Sequence, residues 1–264
     1  MIKNDTVSVI TICFNNLTEL IETCKSIDEQ TSLPDEHLIV DGSTTEDINE
    51  WLSRNVQPSF RKWVHEPDKG ISDAINKGIR RSSSTIIHLL HSGDKYYTPN
   101  AIAIVKNAFG NNPNLMWTHS KYVQNRGNVD VVSGATFDKN LLWKGMRTVA
   151  HPTMFVRKKL YDTYGLFNEH YKIAMDYDFL VRIRNERFQF IPEPLVYFSP
   201  GGASDVQFKK GLAEVREIYN KNVGNSFKLQ LWQFRQRLLA FAMKTNFGRF
   251  LFKLKNKKNI KTLG

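Results

Sequence analysis

Cysteine is nearly missing from this chain of 264 residues, with only Cys13 and Cys24 present. Two thiols cannot build a disulfide framework or a zinc site by themselves. Both sit in apolar surroundings, which predicts buried free thiols in a reducing cytoplasm. Long apolar runs are missing too, and none approaches the roughly 18 residues needed to cross a bilayer. The segment Met1–Thr6 is polar and lacks the basic-then-apolar order of a secretory leader. Glycine-rich phosphate loops are absent: there is no G-x-x-x-x-G-K-S/T, and no G-x-G-x-x-G follows the first strand-like segment. His65-Glu66 has no second histidine at zincin spacing. Acids run out after Glu217. The formal charge is +11, yet residues 1–217 are neutral and every surplus cation lies at Lys221 or beyond. A body built to track nucleic acid would carry that charge on its own surface, so no nucleic-acid partner is expected.

What is present is a hydrophobic content of 41% with 12% aromatics, enough for one large core. Apolar, β-branched runs at Val7–Cys13, His37–Val40, Arg61–Val64 and Thr85–Leu90 read as strands. Between them, Leu17–Glu29, Glu46–Arg54 and Ile71–Arg81 have helical spacing. Alternation at this pace predicts βαβ units and a mostly parallel sheet. Ligands of such sheets sit beyond the carboxyl ends of the strands. Asp41, Asp68 to Gly70 and Asp94 fall at those ends. From about Leu115 the pattern changes to a hairpin around Asn125-Arg126-Gly127, a strand over Thr153–Val156, a helix over Ala174–Asn185 and a strand over Gln189–Tyr197 broken by Pro192 and Pro194. This half reads as an elaboration of the same sheet.

Asp41, Asp68, Asp94 and Asp176 are the acids at strand ends or helix starts. A carboxylate repels phosphate, but it serves a nucleotide by holding a bridging divalent cation or by accepting hydrogen bonds from base or sugar. The competing reading for Asp41 and Asp94 is simple helix capping. For Asp176 and Asp178 it is a favourable interaction with a helix dipole.

Several ordered motifs carry a resemblance. They are Val7 to Asn16, Gln30, Ile39-Val40-Asp41-Gly42-Ser43-Thr44, Glu66-Pro67-Asp68-Lys69-Gly70-Ile71-Ser72-Asp73-Ala74-Ile75-Asn76-Lys77-Gly78-Ile79, His91-Ser92-Gly93-Asp94 and Asp176-Tyr177-Asp178-Phe179-Leu180-Val181-Arg182. Together they resemble family 2 glycosyltransferases of GT-A fold, most closely the bacterial surface-polysaccharide branch of colanic-acid and O-antigen type. The match runs from about Val7 to Tyr197. It implies an α/β GT-A nucleotide-diphospho-sugar transferase fold, with a mostly parallel central sheet flanked by helices. It implies a donor site of Thr11, Asn15, Asp41, Asp68, Lys69, Ser92 and Gly93, in which Asp41 contacts the nucleobase and Asp68 and Lys69 border the nucleoside and pyrophosphate. Asp94 matches the last acid of the D-x-D motif and would hold Mn²⁺ or Mg²⁺. Ser92 stands where the first acid is usual, so one carboxylate would hold the metal, as such ions allow when phosphates add ligands. Asp176 matches the general base, with Asp178 as the other candidate. His151 would touch the metal or the acceptor, or be purely structural. Trp143 either stacks on an acceptor sugar or packs in the core.

In the tail, Phe227, Leu231, Phe234, Leu238 and Phe241 form one helical stripe beside Lys and Arg. That composition predicts an interfacial helix, and residues 226–264 are expected to hold a catalytic domain of residues 1–225 against anionic membrane as a separable device. The expectation is a cytoplasmic enzyme, peripheral on the inner face of the cell membrane. It would transfer a sugar with inversion from a nucleotide donor, UDP-linked as the first choice, to a lipid-linked saccharide. The rivals are a sugar nucleotidyltransferase and a non-catalytic membrane or nucleic-acid binding module. The first needs a glycine-rich basic loop where Asn15-Asn16-Leu17 stands.

Overall fold

The structure is a computed structural model that describes residues 5–125, 129–200 and 207–242. The expected tail positions from Lys244 onward, and residues 126 and 127 of the hairpin turn, lie outside the described residues. β1 (Val7–Cys13), β2 (Glu36–Asp41), β3 (Arg61–His65) and β4 (Ile86–Leu89) form a parallel unit in the order β3-β2-β1-β4. The crossovers are α1 (Leu17–Asp28), α2 (Asp47–Arg54) and α3 (Ile71–Arg81). After β4 come β5 (Lys95–Tyr96) and α4 (Ala101–Asn111), then β6 (Trp117–Asn125) and β7 (Asp130–Ser133). β8 (Phe155–Arg157), α5 (Lys158–Tyr164), α6 (Met175–Arg182) and β9 (Phe188–Tyr197) follow.

The second half extends the first sheet, as its sequence suggests. β8 joins β4 antiparallel, β6 joins β8 antiparallel, and β9 runs parallel to β6, giving one nine-stranded sheet. Direction is thus parallel in the first half and mixed in the second. Pro192 and Pro194 fall in β9 where its register against β6 shifts on both sides of the Lys121–Pro194 pair, the kind of irregularity at which a strand tolerates proline. The hairpin pairs Asn125 with Asp130.

Strand alternation sorts the core onto two faces. Ile10, Ile87 and Val156 pack with α3, α5 and α6, whereas Val9, Ile86 and Phe155 pack with α4. Both cysteines are buried and free, and burial raises their thiols, that of Cys24 to about 11. Neither is a reactive thiolate.

Two helices end the described chain: α7 (Phe208–Asn222) and α8 (Phe227–Ala242). The stripe of Phe227, Leu231, Phe234, Leu238 and Phe241 is exposed along its length. The opposite face is docked. Leu229 is buried, and Gln233 accepts from Arg216 and donates to the Leu212 carbonyl on α7. One face of α8 thus docks on α7, while the rest of the helix stays exposed. No helix among the described residues is long and apolar enough to cross a membrane.

Candidate functional site

Register places three strand ends side by side, Cys13 beside Asp41 and Asp41 beside His65. At that edge the chain turns into a cleft of about 810 Å³. Its walls include Phe14, Asp68, Gly70, Ser92, Gly93, Asp94, Phe198 and Ser199. Strand ends meet there because each βαβ crossover begins at that edge.

Neither acid proposed as a cap caps a helix. The N-cap residue is Glu46 for α2 and Asn100 for α4, with no side-chain cap bond at either. Asp94 instead faces the cleft, and its Oδ1 accepts the Ser199 N–H at 3.0 Å. Burial raises its pKa to about 7, with the Ser199 N–H acting the other way. Gly93 has φ 102°, which an L side chain adopts only under strain. Its N–H donates to Thr23 Oγ1, and its carbonyl accepts from Ser199 Oγ. Beside it, Ser92 Oγ and His91 Nδ1 are buried without a hydrogen-bond partner among the described residues. Orphaned polar atoms of this kind lining a cleft point to a ligand.

Asp68 lines the cleft and accepts the Gly70 N–H at 2.7 Å. Its carboxylate lies over Gly42 so closely that a Cβ there would meet Asp68 Oδ2 at 1.9 Å. Lys69 is exposed beside it, and its N–H donates to Asp73 at the start of α3. Asn15 bridges the β1 and β2 turns: its N–H donates to Ser43 Oγ and its Oδ1 accepts the Thr44 N–H.

Two residues of the expected donor site engage partners within the protein. Thr11 is fully buried inside the sheet, where its hydroxyl donates to the Leu90 carbonyl and meets His37 Nε2, so its side chain does not reach the cleft. Asp41 is also fully buried. Its Oδ1 accepts the Ser43 N–H at 2.9 Å and its Oδ2 pairs with His65 Nδ1 at 2.7 Å. Asp41 therefore holds the Gly42-Ser43 turn.

Asp176 lies in a second cavity of about 290 Å³, with His151, Tyr177 and Phe208 among its walls. Phe198 lines both spaces, and the His151 ring sits 5.5 Å from that of His91, so the two adjoin. Burial raises the Asp176 carboxyl to about 6, against the Tyr177 N–H, which donates to it at 2.7 Å. Burial also lowers His151 to about 3, with His91 adding to the effect, so its imidazole is neutral. Asp178 is placed elsewhere. It is buried and paired with Arg182 at 3.0 Å, and that guanidinium also holds the Tyr164, Gly165 and Leu166 carbonyls. The structure thus separates the two candidates: only Asp176 faces open space.

Glu214 on α7 went unseen in the sequence. Its carboxylate accepts the N–H groups of Lys172, Ile173 and Ala174, the segment leading into α6. Ser199, His91 and His65 were likewise unassigned. Ser199 lies 105 residues from Asp94 and Glu214 about 40 from the loop it holds, so no local motif links them.

A divalent cation fits only in a donor-assisted form. Among the described residues no three His, Cys, Asp or Glu side chains converge as ligands. Asp94, with orphaned Ser92 beside it, supplies one carboxylate. Mg²⁺ and Mn²⁺ accept such a site when phosphates and water complete the shell.

The chain is 33% identical over 186 residues to an uncharacterized glycosyltransferase of Mycobacterium tuberculosis, covering 69% of this chain and 70% of that one. It is 28% identical over 172 residues to a PGL/p-HBAD biosynthesis glycosyltransferase of Mycobacterium bovis, covering 63% and 65%. Staphylococcus aureus TarS 1–349 in complex with UDP-GlcNAc superposes with TM-score 0.64 at 16% identity, over 92% of this chain and 75% of that one. A mannosyltransferase of Pyrobaculum calidifontis in complex with GDP-Man and Mn²⁺ gives TM-score 0.64 at 16% identity, over 98% and 81%. These likenesses show the GT-A-like α/β fold. With the model of glycosyl transferase family 2 matching residues 8–177, the chain belongs to that family and is a glycosyltransferase.

Proposed function

We propose that this enzyme transfers a sugar with inversion from a nucleoside-diphosphate donor, UDP-linked as the first choice, to a hydroxyl of a lipid-linked saccharide in bacterial surface-polysaccharide synthesis. One observation carries the reading. The cleft of Asp68, Ser92 and Asp94 adjoins a cavity in which Asp176 is the unpaired carboxylate, so a donor and an acceptor could meet between them.

In this reading, Asp68, Lys69, Ser92 and Gly93 surround the donor, while Asn15 and Asp41 hold the turns that frame it. Asp94 would hold Mn²⁺ or Mg²⁺ on the diphosphate, and the cation supplies charge stabilisation for the leaving group. Asp176 accepts the proton of the acceptor hydroxyl. A carboxyl raised to about 6 is still ionised at neutral pH and is a stronger base than an ordinary aspartate. Neutral His151 borders the same space as a hydrogen-bonding neighbour. The exposed stripe on α8, with Lys228, Arg235 and Arg237 beside it, suits the cytoplasmic face of an anionic membrane.

The test is a donor panel of UDP-, GDP- and dTDP-sugars with Mn²⁺ and a lipid-linked saccharide acceptor, following nucleoside diphosphate release. Acceptor-stimulated release from one donor is expected, with a product of inverted anomeric configuration. Retention of configuration, or no release from any donor with an authentic acceptor, would overturn it.

A further inference from the structure

A third cavity of about 450 Å³ lies where α8 meets the 3-10 helix Lys139–Lys144 and the loop after it. Its apolar walls include Phe137, Leu142, Trp143, Leu180, Leu231 and Trp232. Lys144, Arg147, Lys228 and Arg235 also line it, two from each side, against a single acid, Asp138. None of the four cations forms an ion pair among the described residues, and Lys144 lies 4.8 Å over the Trp143 ring. Unpaired cations gathered around an apolar hollow fit a ligand that carries phosphate at one end and hydrocarbon at the other.

Two links tie this cavity to the rest of the molecule. Met146 lines both it and the Asp176 cavity, and the Tyr177 hydroxyl, from the second, donates to the carbonyl of Leu142, from the first. Leu180 is one helical turn after Asp176 on α6, about 6 Å along the axis. Leu231 links the cavity to the outside, since it also belongs to the exposed apolar stripe of α8. The chain's own remainder is a poor occupant by charge: beyond Ala242 it contains Lys and Arg but no acid.

We propose that this cavity binds the phosphate or diphosphate of the lipid-linked acceptor. The four cations hold the phosphate, the hydrocarbon leaves along Leu231 toward the stripe, and the sugar points past Met146 to Asp176. The inference rests on the transferase reading and deepens it. The acceptor hydroxyl then lies close to the lipid phosphate, so the acceptor is a short saccharide and a long polymer end is a poor substrate.

Calorimetry on the full chain tests the site with geranyl diphosphate, against geraniol and inorganic pyrophosphate, in chelator to exclude metal-dependent binding at Asp94. Geranyl diphosphate is expected to bind at least ten-fold more tightly than either control. The double variants Lys144→Ala/Arg147→Ala and Lys228→Ala/Arg235→Ala, on exposed or half-exposed positions of separate elements, should each weaken it by ten-fold or more. Binding to phosphatidylglycerol vesicles distinguishes a general lipid surface. The loop variant should keep most of it while losing the probe. Equal binding of geraniol, wild-type affinity in both variants, or a parallel loss of vesicles and probe in the loop variant would each overturn the site. The probe needs no donor. Probe binding without sugar transfer would sink the transferase reading alone, whereas transfer without probe binding would sink this inference alone.

Discussion

The Asp94 cleft and the Asp176 cavity sit side by side but are assembled differently. In the cleft, each group lies at the end of a strand or in the turn just after it. Short-range bonds hold several of them, such as Asp68 to the Gly70 N–H and Asp41 to the Ser43 N–H, with Ser199 as the distant support of Asp94. In the Asp176 cavity the supports come from far along the chain: Glu214 holds the entry to α6, and the Tyr177 hydroxyl reaches the Leu142 carbonyl. A site half set by strand register and half by long-range bonds is expected to fail in two distinguishable ways. Damage to the first half should remove donor affinity, and damage to the second should slow transfer with donor affinity kept.

The largest effects test that division directly. Asp94→Asn should lower donor turnover by about a thousand-fold and abolish the Mn²⁺ dependence of nucleotide binding, as loss of a cation on the leaving group would. Asp176→Asn should lower transfer by ~10²–10⁴-fold, the usual worth of a general base, with the donor Kd unchanged by calorimetry. If both variants lose donor affinity alike, the two halves are not separate.

Next comes Glu214→Ala. It leaves three N–H groups without their acceptor, and each costs about 1–3 kcal/mol when it is kept from water. The loop is part-exposed, so a loss of roughly 3 kcal/mol in denaturant unfolding is expected, with transfer slowed more than donor binding. Gly42→Ala should act on the other half. Its new methyl displaces the Asp68 carboxylate, so the donor KM should rise by roughly ten-fold. A normal KM would show that Asp68 is not needed where it stands.

The smallest effects concern pH. The Asp176 carboxyl is raised to about 6, so transfer should fall as pH drops through 6, and Asp176→Asn should lose that limb. Its folded-state pKa exceeds the unfolded value of about 3.9, so its stabilising contribution is complete below pH 4 and is lost as pH rises through 6. Asp176→Asn should therefore melt about a few degrees higher than the wild type at pH 8 and gain nothing comparable at pH 4. Asp178→Asn should do the reverse at pH 8, losing about 1–2 kcal/mol because it breaks the partly buried pair with Arg182. Two carboxylates two residues apart would then shift thermal melts in opposite directions.

Legibility in the sequence follows the same division. Strand β2, helix α3 and the acids after them could be read from periodicity and turn residues, because their determinants lie within a few positions. The resemblance to family 2 transferases rests on those same local motifs. What escaped was everything that depends on distant partners. Thr11 is polar at a strand position near the site, yet strand alternation turns it into the sheet, toward Leu90 and His37. Asp41 and Asp178 carry the right chemistry, but His65 and Arg182 occupy them. Strand β5, two residues long, carries no periodicity to detect.

Local sequence sets the parallel βα unit, the acids at its carboxyl edge, the family motifs and the apolar stripe exposed on α8. Each of these is written in neighbouring residues through hydrophobic period, turn chemistry or local motif. Tertiary structure decided which carboxylates stay open, and it brought Ser199 to Asp94 and Glu214 to the loop before Asp176. It also folded α8 against the body to enclose a basic, apolar hollow beside the site. Those outcomes depend on side chains meeting from separate elements, where burial and hydrogen-bond partners set the chemistry of each acid.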